Sequence, residues 1–368
     1  MKCLHLADLH LGKRVNEFSM LEDQKYMLDK IVELIKSKKI DVLLIAGDIF
    51  DSSIPPAEAV NLLSDFISDL HKIKVKILMI TGNHDSKDRL VFLAPILEKQ
   101  GVVIIGDYQE GIKKIKIDDV NFYLLPYVKY QRVNHFFNQS FTNTNDAIKF
   151  LIAESNINYQ EKNVILAHQF VIAKNRPEES DSEMASLGGL DEVNAQIFSQ
   201  FNYTALGHIH KSQKMGNNIY YSGSLLKYST SEAKSAKKFI IVDTNDFSLD
   251  FVSIEPLHDL LTFECYIDDL INGKTLSEYP NDNYYSITVL DSDEIINPMD
   301  KIKSIYPLTM TINFKNQKFS QEKLPDVKIN SNINIFKLFQ DFYQAQTATA
   351  LNDKQSEIIK NLLDEEEI

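Results

Sequence analysis

Arginine, cysteine and long apolar runs are all scarce in this chain of 368 residues, and each scarcity closes off a class of function. The cysteines, Cys3 and Cys265, lie far apart and form no metal-type spacing, which points to free, packed thiols in a reducing cytoplasm. No apolar run reaches the roughly 18 residues that a membrane-spanning helix needs. The chain enters a strand pattern at once, without a basic stretch followed by an apolar one, so secretion is not expected and a cytoplasmic location is. Basic residues number 39 against 52 acidic ones, for a formal net charge of −13. A surface of that sign cannot release counterions from a phosphate backbone over its whole extent, so any contact with nucleic acid has to be local, metal-assisted or shared with a partner. Arginine occurs only at Arg14, Arg89, Arg132 and Arg176, which leaves few groups for bidentate phosphate clamping. No Gly-x-x-x-x-Gly-Lys-Ser/Thr loop is present, so ATP hydrolysis would have to come from elsewhere.

What is present is an ordinary globular composition, 44% hydrophobic and 25% charged, in a chain long enough for one large α/β domain and something smaller. The organising stretch is Leu43-Leu44-Ile45-Ala46-Gly47-Asp48-Ile49-Phe50-Asp51. Its apolar run reads as a strand of a parallel sheet covered on both faces, and in open α/β sheets the chemistry collects at the strands' carboxyl ends. Asp48 stands at such an end, where a carboxylate gives one oxygen to each of two cations.

The same arrangement recurs along the chain. Residues 2–7 alternate and lead into Asp8-Leu9-His10, whose i, i+2 spacing sends carboxylate and imidazole to one side if the backbone stays extended. His5, on the same strand, reads as a core histidine. Leu21, Leu28, Ile31, Val32 and Ile35 keep helical spacing over 21–36 and give a crossover helix, hence a βαβ unit. Asp51 reads as a cap or as a carboxylate behind the ligands, and Ser53 or a neighbour as the cap of a helix running to about residue 70. A third strand over 75–81 ends in Gly82-Asn83-His84-Asp85, with the glycine allowing a tight turn. Adjacent side chains diverge, so Asn83 offers a carbonyl oxygen to a cation while His84 is left to donate a proton to a substrate oxygen. Asn163-Val164-Ile165-Leu166-Ala167-His168 is a further apolar strand ending in imidazole. In Tyr203-Thr204-Ala205-Leu206-Gly207-His208-Ile209-His210, two imidazoles share one side directly after a strand and a glycine.

Between these motifs the reading is plainer. A strand pair over 102–105 and 121–125 precedes an Asn-rich loop over 134–145 and a helix near 146–154. The charged segment 176–189 reads as a mobile surface loop, followed by a helix over 191–201. Tyr221-Ser222-Gly223-Ser224 with Lys227 and Tyr228 reads equally as small hydroxyls and an ammonium near a phosphate, or as a hairpin turn with a solvated lysine. Strands over 238–242 and 249–254 close a first domain, 1–255. Residues 256–316 read as a compact α+β appendage and 317–332 as a polar linker. In the helical segment 333–368, Ile335, Phe336, Phe339, Phe342 and Tyr343 form an aromatic stripe, and Asn352 to Gln355 resembles the cap of a second helix. Two short amphipathic helices cannot bury both their apolar faces alone, so they either pack back on the parent domain or dock on a partner, and the linker and the density of aromatics favour the partner.

Asp8/His10, Asp48, Asn83/His84, His168 and His208/His210 each fall at a strand end, and together they are far more specific than any one of them. Imidazole, carboxylate and amide donors without cysteine suit two borderline-hard divalent ions such as Mn²⁺, with Fe²⁺ or Zn²⁺ also compatible. Two ions roughly 3.5–4 Å apart generate hydroxide near neutral pH and clamp a phosphoryl group for in-line attack. The ordered series Asp-x-His, Gly-Asp-x-x-Asp, Gly-Asn-His-Asp, His and Gly-His-x-His resembles the calcineurin-like metallophosphoesterase family. Ala7 to Gly12, Ser186-Leu187-Gly188-Gly189-Leu190-Asp191, Ala205 to His210, and Tyr221 to Ser229 with Ser231-Glu232 are more closely similar to the nuclease subunits of bacterial SbcCD-type exonucleases.

The resemblance implies an α/β fold, a metallophosphoesterase β-sandwich flanked by helices with a small α+β capping domain and C-terminal helices. It puts Asp8, His10, Asp48 and His210 on one metal and Asp48, Asn83, His168 and His208 on the other, with His84 as the acid assisting the departing sugar oxygen. It further implies Mn²⁺-dependent 3′→5′ cleavage of duplex ends and endonucleolytic attack on single strands and hairpins, in DNA repair, recombination and replication. The implied partners are DNA, a second copy of the chain, and an SbcC-type ATPase bound through the C-terminal helices. Related archaeal and eukaryotic nucleases carry histidine where Asp51 stands, so no catalytic role carries over to Asp51. A phosphatase or small-molecule phosphodiesterase would use the same metals, but the appendage and the aromatic tail favour the nuclease. A non-catalytic scaffold would require lost ligands, and none is lost.

Overall fold

The strands Val42–Ala46 and Lys76–Ile80 are apolar almost throughout. Such strands are stable only inside a sheet covered on both faces. In the computed structural model, which describes residues 1–183, 190–291, 297–315, 335–347, 349–352, 354–356 and 358–359, they lie within a six-stranded sheet. Its order is Ser248–Val252, Phe239–Asp243, Lys2–Leu6, Val42–Ala46, Lys76–Ile80 and Val102–Ile105. The last four strands run parallel, and the first two form an antiparallel edge. A second six-stranded sheet runs Gln213–Gly216, Ile219–Tyr221, Tyr203–Gly207, Lys162–His168, Val120–Leu125 and Lys113–Ile117, parallel in the middle and antiparallel at both edges.

The two sheets meet face to face through Val42, Leu44, Leu78 and Ile80 on one side and Phe122, Leu124, Val164 and Leu166 on the other. The outer face of the first sheet is covered by the helices Leu21–Lys38 and Ala57–Lys72, through Leu28, Ile31, Phe66 and Leu70. The outer face of the second is covered by Tyr130–Phe137 and Thr144–Glu154, through Val133, Ile148 and Leu151. Each such side chain contributes roughly 1.5–3 kcal/mol when fully buried. The result is the mixed α/β sandwich expected, and its packed faces bring the carboxyl ends of both parallel sets to one edge.

Several local expectations give way. Val102–Ile105 and Val120–Leu125 do not pair, because the second has a nearer hairpin mate, Lys113–Ile117, across a turn in which Asp118 has φ 52°. The Asn-rich loop starts later than expected, since Tyr130–Phe137 is helical until left-handed Asn138 stops it. The helix expected over 191–201 is a strand, Glu192–Asn194, and a short 3₁₀ turn, Ala195–Phe198. The Asn194 side chain accepts the Gln196 N–H, which competes with α-helix formation at that point. The helix Ala57–Lys72 has extended Pro56 at its N-cap rather than Ser53, because Pro55 and Pro56 hold the chain before them out of the helical region.

The appendage is a three-stranded sheet of Leu260–Cys265, Tyr284–Val289 and Thr309–Phe314. All three strands are parallel, with the helices Ile267–Ile271 and Pro298–Lys303 in the crossovers, so this unit is α/β rather than α+β. Near the C-terminus, Ile335–Thr347 is helical with Phe342 exposed. Asn352 Oδ1 accepts the Gln355 N–H at 2.9 Å and Gln355 Oε1 accepts the Asn352 N–H at 3.0 Å, a reciprocal capping box. The linker expected over 317–332, residues 186–189 of the nuclease-like block, and most of the residues expected to form a second C-terminal helix lie outside the described residues. No helix among the described residues is long and apolar enough to cross a membrane.

Candidate metal centre

Past their last paired residues, the strand ends continue side by side as loops. The Asp8 N–H donates to the Gly47 carbonyl at 3.0 Å, the His10 N–H to Asp48 O at 3.0 Å, and the Leu11 N–H to Ile49 O at 2.9 Å. Asp8, His10 and Asp48 have φ of 52°, 45° and 49°. Left-handed backbone, not the extended chain expected for Asp8-Leu9-His10, therefore turns these side chains to one side while Leu9 stays in the core. Such conformations cost roughly 1–3 kcal/mol each and persist where surrounding bonds over-determine them. Gly82 also differs from expectation, since its φ is not positive. It is needed for close approach, because a Cβ there would overlap Asp48 Oδ1 and the Asp48 backbone nitrogen. Asp85 ties the two loops together by accepting the N–H groups of Ile49, Phe50 and Gly82 at 3.1, 2.9 and 2.9 Å.

The sequence-derived residues converge on one cluster. His168 Nε2 lies 3.3 Å from Asp48 Oδ2 and 3.0 Å from Asn83 Oδ1, and His208 Nδ1 lies 3.0 Å from the same Asn83 oxygen. His10 Nε2 lies 3.8 Å from Asp48 Oδ2 and 3.0 Å from His210 Nε2. Donor atoms of Asp8, His10 and His210 all fall within 4.8 Å of one another, as do those of Asp8, Asp48 and His168, and of His10, Asp48 and His84. The outer nitrogens are engaged elsewhere. His168 Nδ1 donates to the Ala46 carbonyl at 2.8 Å and His84 Nδ1 to the Asp51 carbonyl at 2.8 Å. Because a carbonyl only accepts, the His168 bond fixes a proton on Nδ1 and leaves Nε2 as the ring atom that faces the cluster.

Asp8, His10, Asp48, His168, His208 and His210 are buried, whereas Asn83 and His84 remain partly exposed. Burial lowers the His208 imidazole to about 3 and His210 to about 4, so both are neutral at physiological pH. At His168 burial acts in the same direction but is outweighed by Asp48 and Asp8, which raise it to about 9. Burial would raise Asp48, yet His168 and His10 hold its carboxyl far below the usual range. The cluster is thus an anionic carboxylate among inward-facing nitrogens and an amide oxygen, with the Nε2 atoms of His10 and His210 facing each other. That donor set fits two divalent ions with Asp48 between them, and carries no thiolate that would select a softer metal.

Other expectations resolve differently. Asp51 Oδ1 accepts Lys13 Nζ at 2.7 Å and lies 3.5 Å from His10 Nδ1, which places it behind the cluster. Burial is outweighed there by His10 and Lys13, which hold Asp51 at about 2. His5 is a core histidine, bonded to the Tyr203 hydroxyl and the Leu206 carbonyl. Neither reading of the 221–228 segment survives: Ser222 and Ser224 are buried, and Lys227 is committed to Asp259 and the Ala233 carbonyl. Nor is the described part of 176–189 a free surface loop. Glu183 Oε1 accepts the His210 N–H at 2.5 Å, and Ser182 Oγ lies 2.7 Å from His210 Nδ1. Ser182, Glu183, Asp85 and Glu232 were not among the sequence-derived site residues. Asp85 was visible in Gly-Asn-His-Asp and Glu232 in Ser-Glu, but no local signal marked the other two.

Among solved structures, the fold is similar to TT1561 of Thermus thermophilus, with 10% identity over 69% of this chain and 99% of that one, at a TM-score of 0.41. It is also similar to a dimetal phosphatase from Danio rerio, with 12% identity over 70% of this chain and 97% of that one, again at a TM-score of 0.41. The family model for calcineurin-like phosphoesterases matches residues 1–212, which take in every residue of the cluster. The chain belongs to the calcineurin-like phosphoesterase family, whose members hydrolyse phosphoesters with the help of bound metal.

Proposed function

We propose that the chain is an SbcD-like nuclease subunit, a Mn²⁺-dependent 3′→5′ double-strand exonuclease and single-strand and hairpin endonuclease that works with an SbcC-type ATPase in DNA repair, recombination and replication. One observation carries the reading. The 221–232 segment, which likens the sequence to these nucleases more than to phosphatases, folds directly behind His210 and so belongs to the site. Two divalent ions, when bound, would activate water near neutral pH and neutralise the phosphate under attack. Asp8, His10, Asp48 and His210 would hold one and Asp48, Asn83, His168 and His208 the other. His84, partly exposed and bonded through Nδ1 to the Asp51 carbonyl, keeps Nε2 for handing a proton to the departing sugar oxygen. The net charge of −13 favours an ATPase partner that supplies the DNA grip. Phe342 and Ile358, each 52% exposed, give the C-terminal helices apolar surface for that partner, and Phe92 and Ile96, 79% and 63% exposed, suit a second copy of the chain.

The test is cleavage of end-labelled duplex and hairpin DNA with Mn²⁺, with and without the ATPase partner, beside His84→Gln and Asp48→Ala. The reading expects metal-dependent cleavage that both substitutions abolish and that partner plus ATP stimulates. Intact DNA under every condition, with hydrolysis of a small phosphomonoester, would leave a phosphatase instead. A chain truncated after residue 330 should still cleave a small chromogenic diester but no longer bind the ATPase, and a retained complex would move the docking surface elsewhere.

A further inference from the structure

His210 is held more completely than its role as one donor among several requires. Its N–H donates to Glu183 Oε1 at 2.5 Å, and its carbonyl accepts Lys237 Nζ at 2.9 Å. Its Nδ1 faces Ser182 Oγ at 2.7 Å, and that hydroxyl lies 2.7 Å from Glu232 Oε1. A carboxylate only accepts, so the Ser182 hydroxyl donates to Glu232 and takes the Nδ1–H of His210 on its own lone pair. Glu232 is 2% exposed, an uncommon setting for a carboxylate. It is paired with Lys237, and the Tyr228 N–H and Ser229 hydroxyl donate to it at 3.3 and 3.1 Å. Lys237 also donates to Ser224 Oγ at 2.6 Å, so one ammonium grips both the His210 main chain and the carboxylate behind its ring.

We propose that Glu232 is a positioning residue for the metal centre, acting through Ser182 to fix the proton of His210 on Nδ1 and aim the Nε2 lone pair into the cluster. This rests on the two-metal reading above and adds to it the reason for burying Glu232, of the Ser-Glu pair at 231–232. Lys237 keeps the carboxylate charged, and the relay sets both ring orientation and tautomer before any ion arrives. A buried ion pair is a poor device for stability, since an apolar pair of the same volume is often as stable. It is a good device for directing a ring nitrogen.

The test uses the full chain and measures ions rather than turnover. Ser182→Ala removes the relay and leaves the ion pair intact, while Glu232→Gln/Lys237→Met removes the pair without stranding a buried ammonium. Mn²⁺ titration of each variant, read by electron paramagnetic resonance, should show one of two bound ions weakened by about 10–100-fold, the usual effect of losing a partner of a metal-binding imidazole. The second ion should stay within about twofold of wild type. In the metal-free protein, ¹⁵N imidazole spectra should place the His210 proton on Nδ1 in wild type and show it divided between the two neutral tautomers in Ser182→Ala. Two ions bound with wild-type affinity in both variants would overturn the positioning role and leave the metal centre standing. A wild-type chain that binds no ion would remove the metal centre itself, and the positioning role with it.

Discussion

At the scale of single residues, the cluster separates buried side chains from those that stay partly open to solvent. His84 is partly exposed while the imidazoles around it are buried, and its Nδ1 is committed to a main-chain carbonyl. His84→Gln should therefore lower the cleavage rate by about 10²–10⁴-fold, the usual worth of a general acid, with bound metal unchanged by elemental analysis. Loss of one ion from that variant would make His84 a ligand instead. Gly82 is a packing requirement of the same site. Gly82→Ala drives a methyl against Asp48, so urea denaturation should show a loss of about 1–3 kcal/mol, with weakened ion binding as the Asp48 loop moves aside.

At the scale of elements, the question is what holds loops from different strands in one geometry. Asp85 does so for the loops after Val42–Ala46 and Lys76–Ile80, by capping N–H groups on both. Asp85→Ala leaves those groups without their acceptor and should cost about 1–3 kcal/mol, together with affinity for the ions, whereas Asp85→Asn should recover part of both. A second brace crosses the layers, where Asp107 accepts Lys87 Nζ at 2.7 Å, after the His84 loop, and Arg132 Nη2 at 2.6 Å, from Tyr130–Phe137. Burial opposes the Asp107 charge, but Lys87 and Arg132 prevail and hold its carboxyl below the ordinary value. A depressed folded-state pKa stabilises the fold above the unfolded-state pKa, and the gain disappears as pH falls through the folded value. The stability difference between wild type and Asp107→Asn should thus be constant near neutrality and shrink on acidification below the usual carboxylate range, in thermal melts across pH.

At the scale of the whole molecule, the ions would lie between two sheets. Asp8, His10, Asp48 and Asn83 follow strands of the first, and His168, His208 and His210 come from the second. Ions held by both would bind the folded state alone, so Mn²⁺ at 100 times its dissociation constant should stabilise by about 2.7 kcal/mol, and chelation should lower the melting temperature reversibly. The small parallel sheet is fastened to the same body. Asp23, on Leu21–Lys38, accepts the Tyr284 hydroxyl at 2.9 Å and the His258 N–H at 3.0 Å, and Leu260, Tyr284 and Met310 join the hydrophobic cluster beneath that helix. Asp23→Ala should destabilise by about 1–3 kcal/mol. Calorimetry should still show one transition, and a second one would mean that the small sheet unfolds separately.

The residues of the centre were legible in the sequence because the chemistry imposes itself locally. An apolar run ending in glycine and a carboxylate, amide or imidazole reads the same at Asp48, Asn83 and His208 whatever lies around it. A parallel sheet covered on both faces was legible for a similar reason, since strands without polar residues need such cover, whereas the sandwich was expected from the family resemblance alone. Tertiary structure alone decided how these ends meet. Asp8 and His10 reach the cluster through left-handed backbone stabilised by bonds to the neighbouring loop, which side-chain periodicity does not encode. Gly82 is small because of Asp48, a residue distant in sequence. Ser182, Glu183 and Glu232 serve His210 from two separate segments, and a polar side chain carries no local mark of the group it will face once burial makes it choose a partner. The sequence by itself thus determined which atoms were available to bind and move protons, and folding determined which of them share a charge.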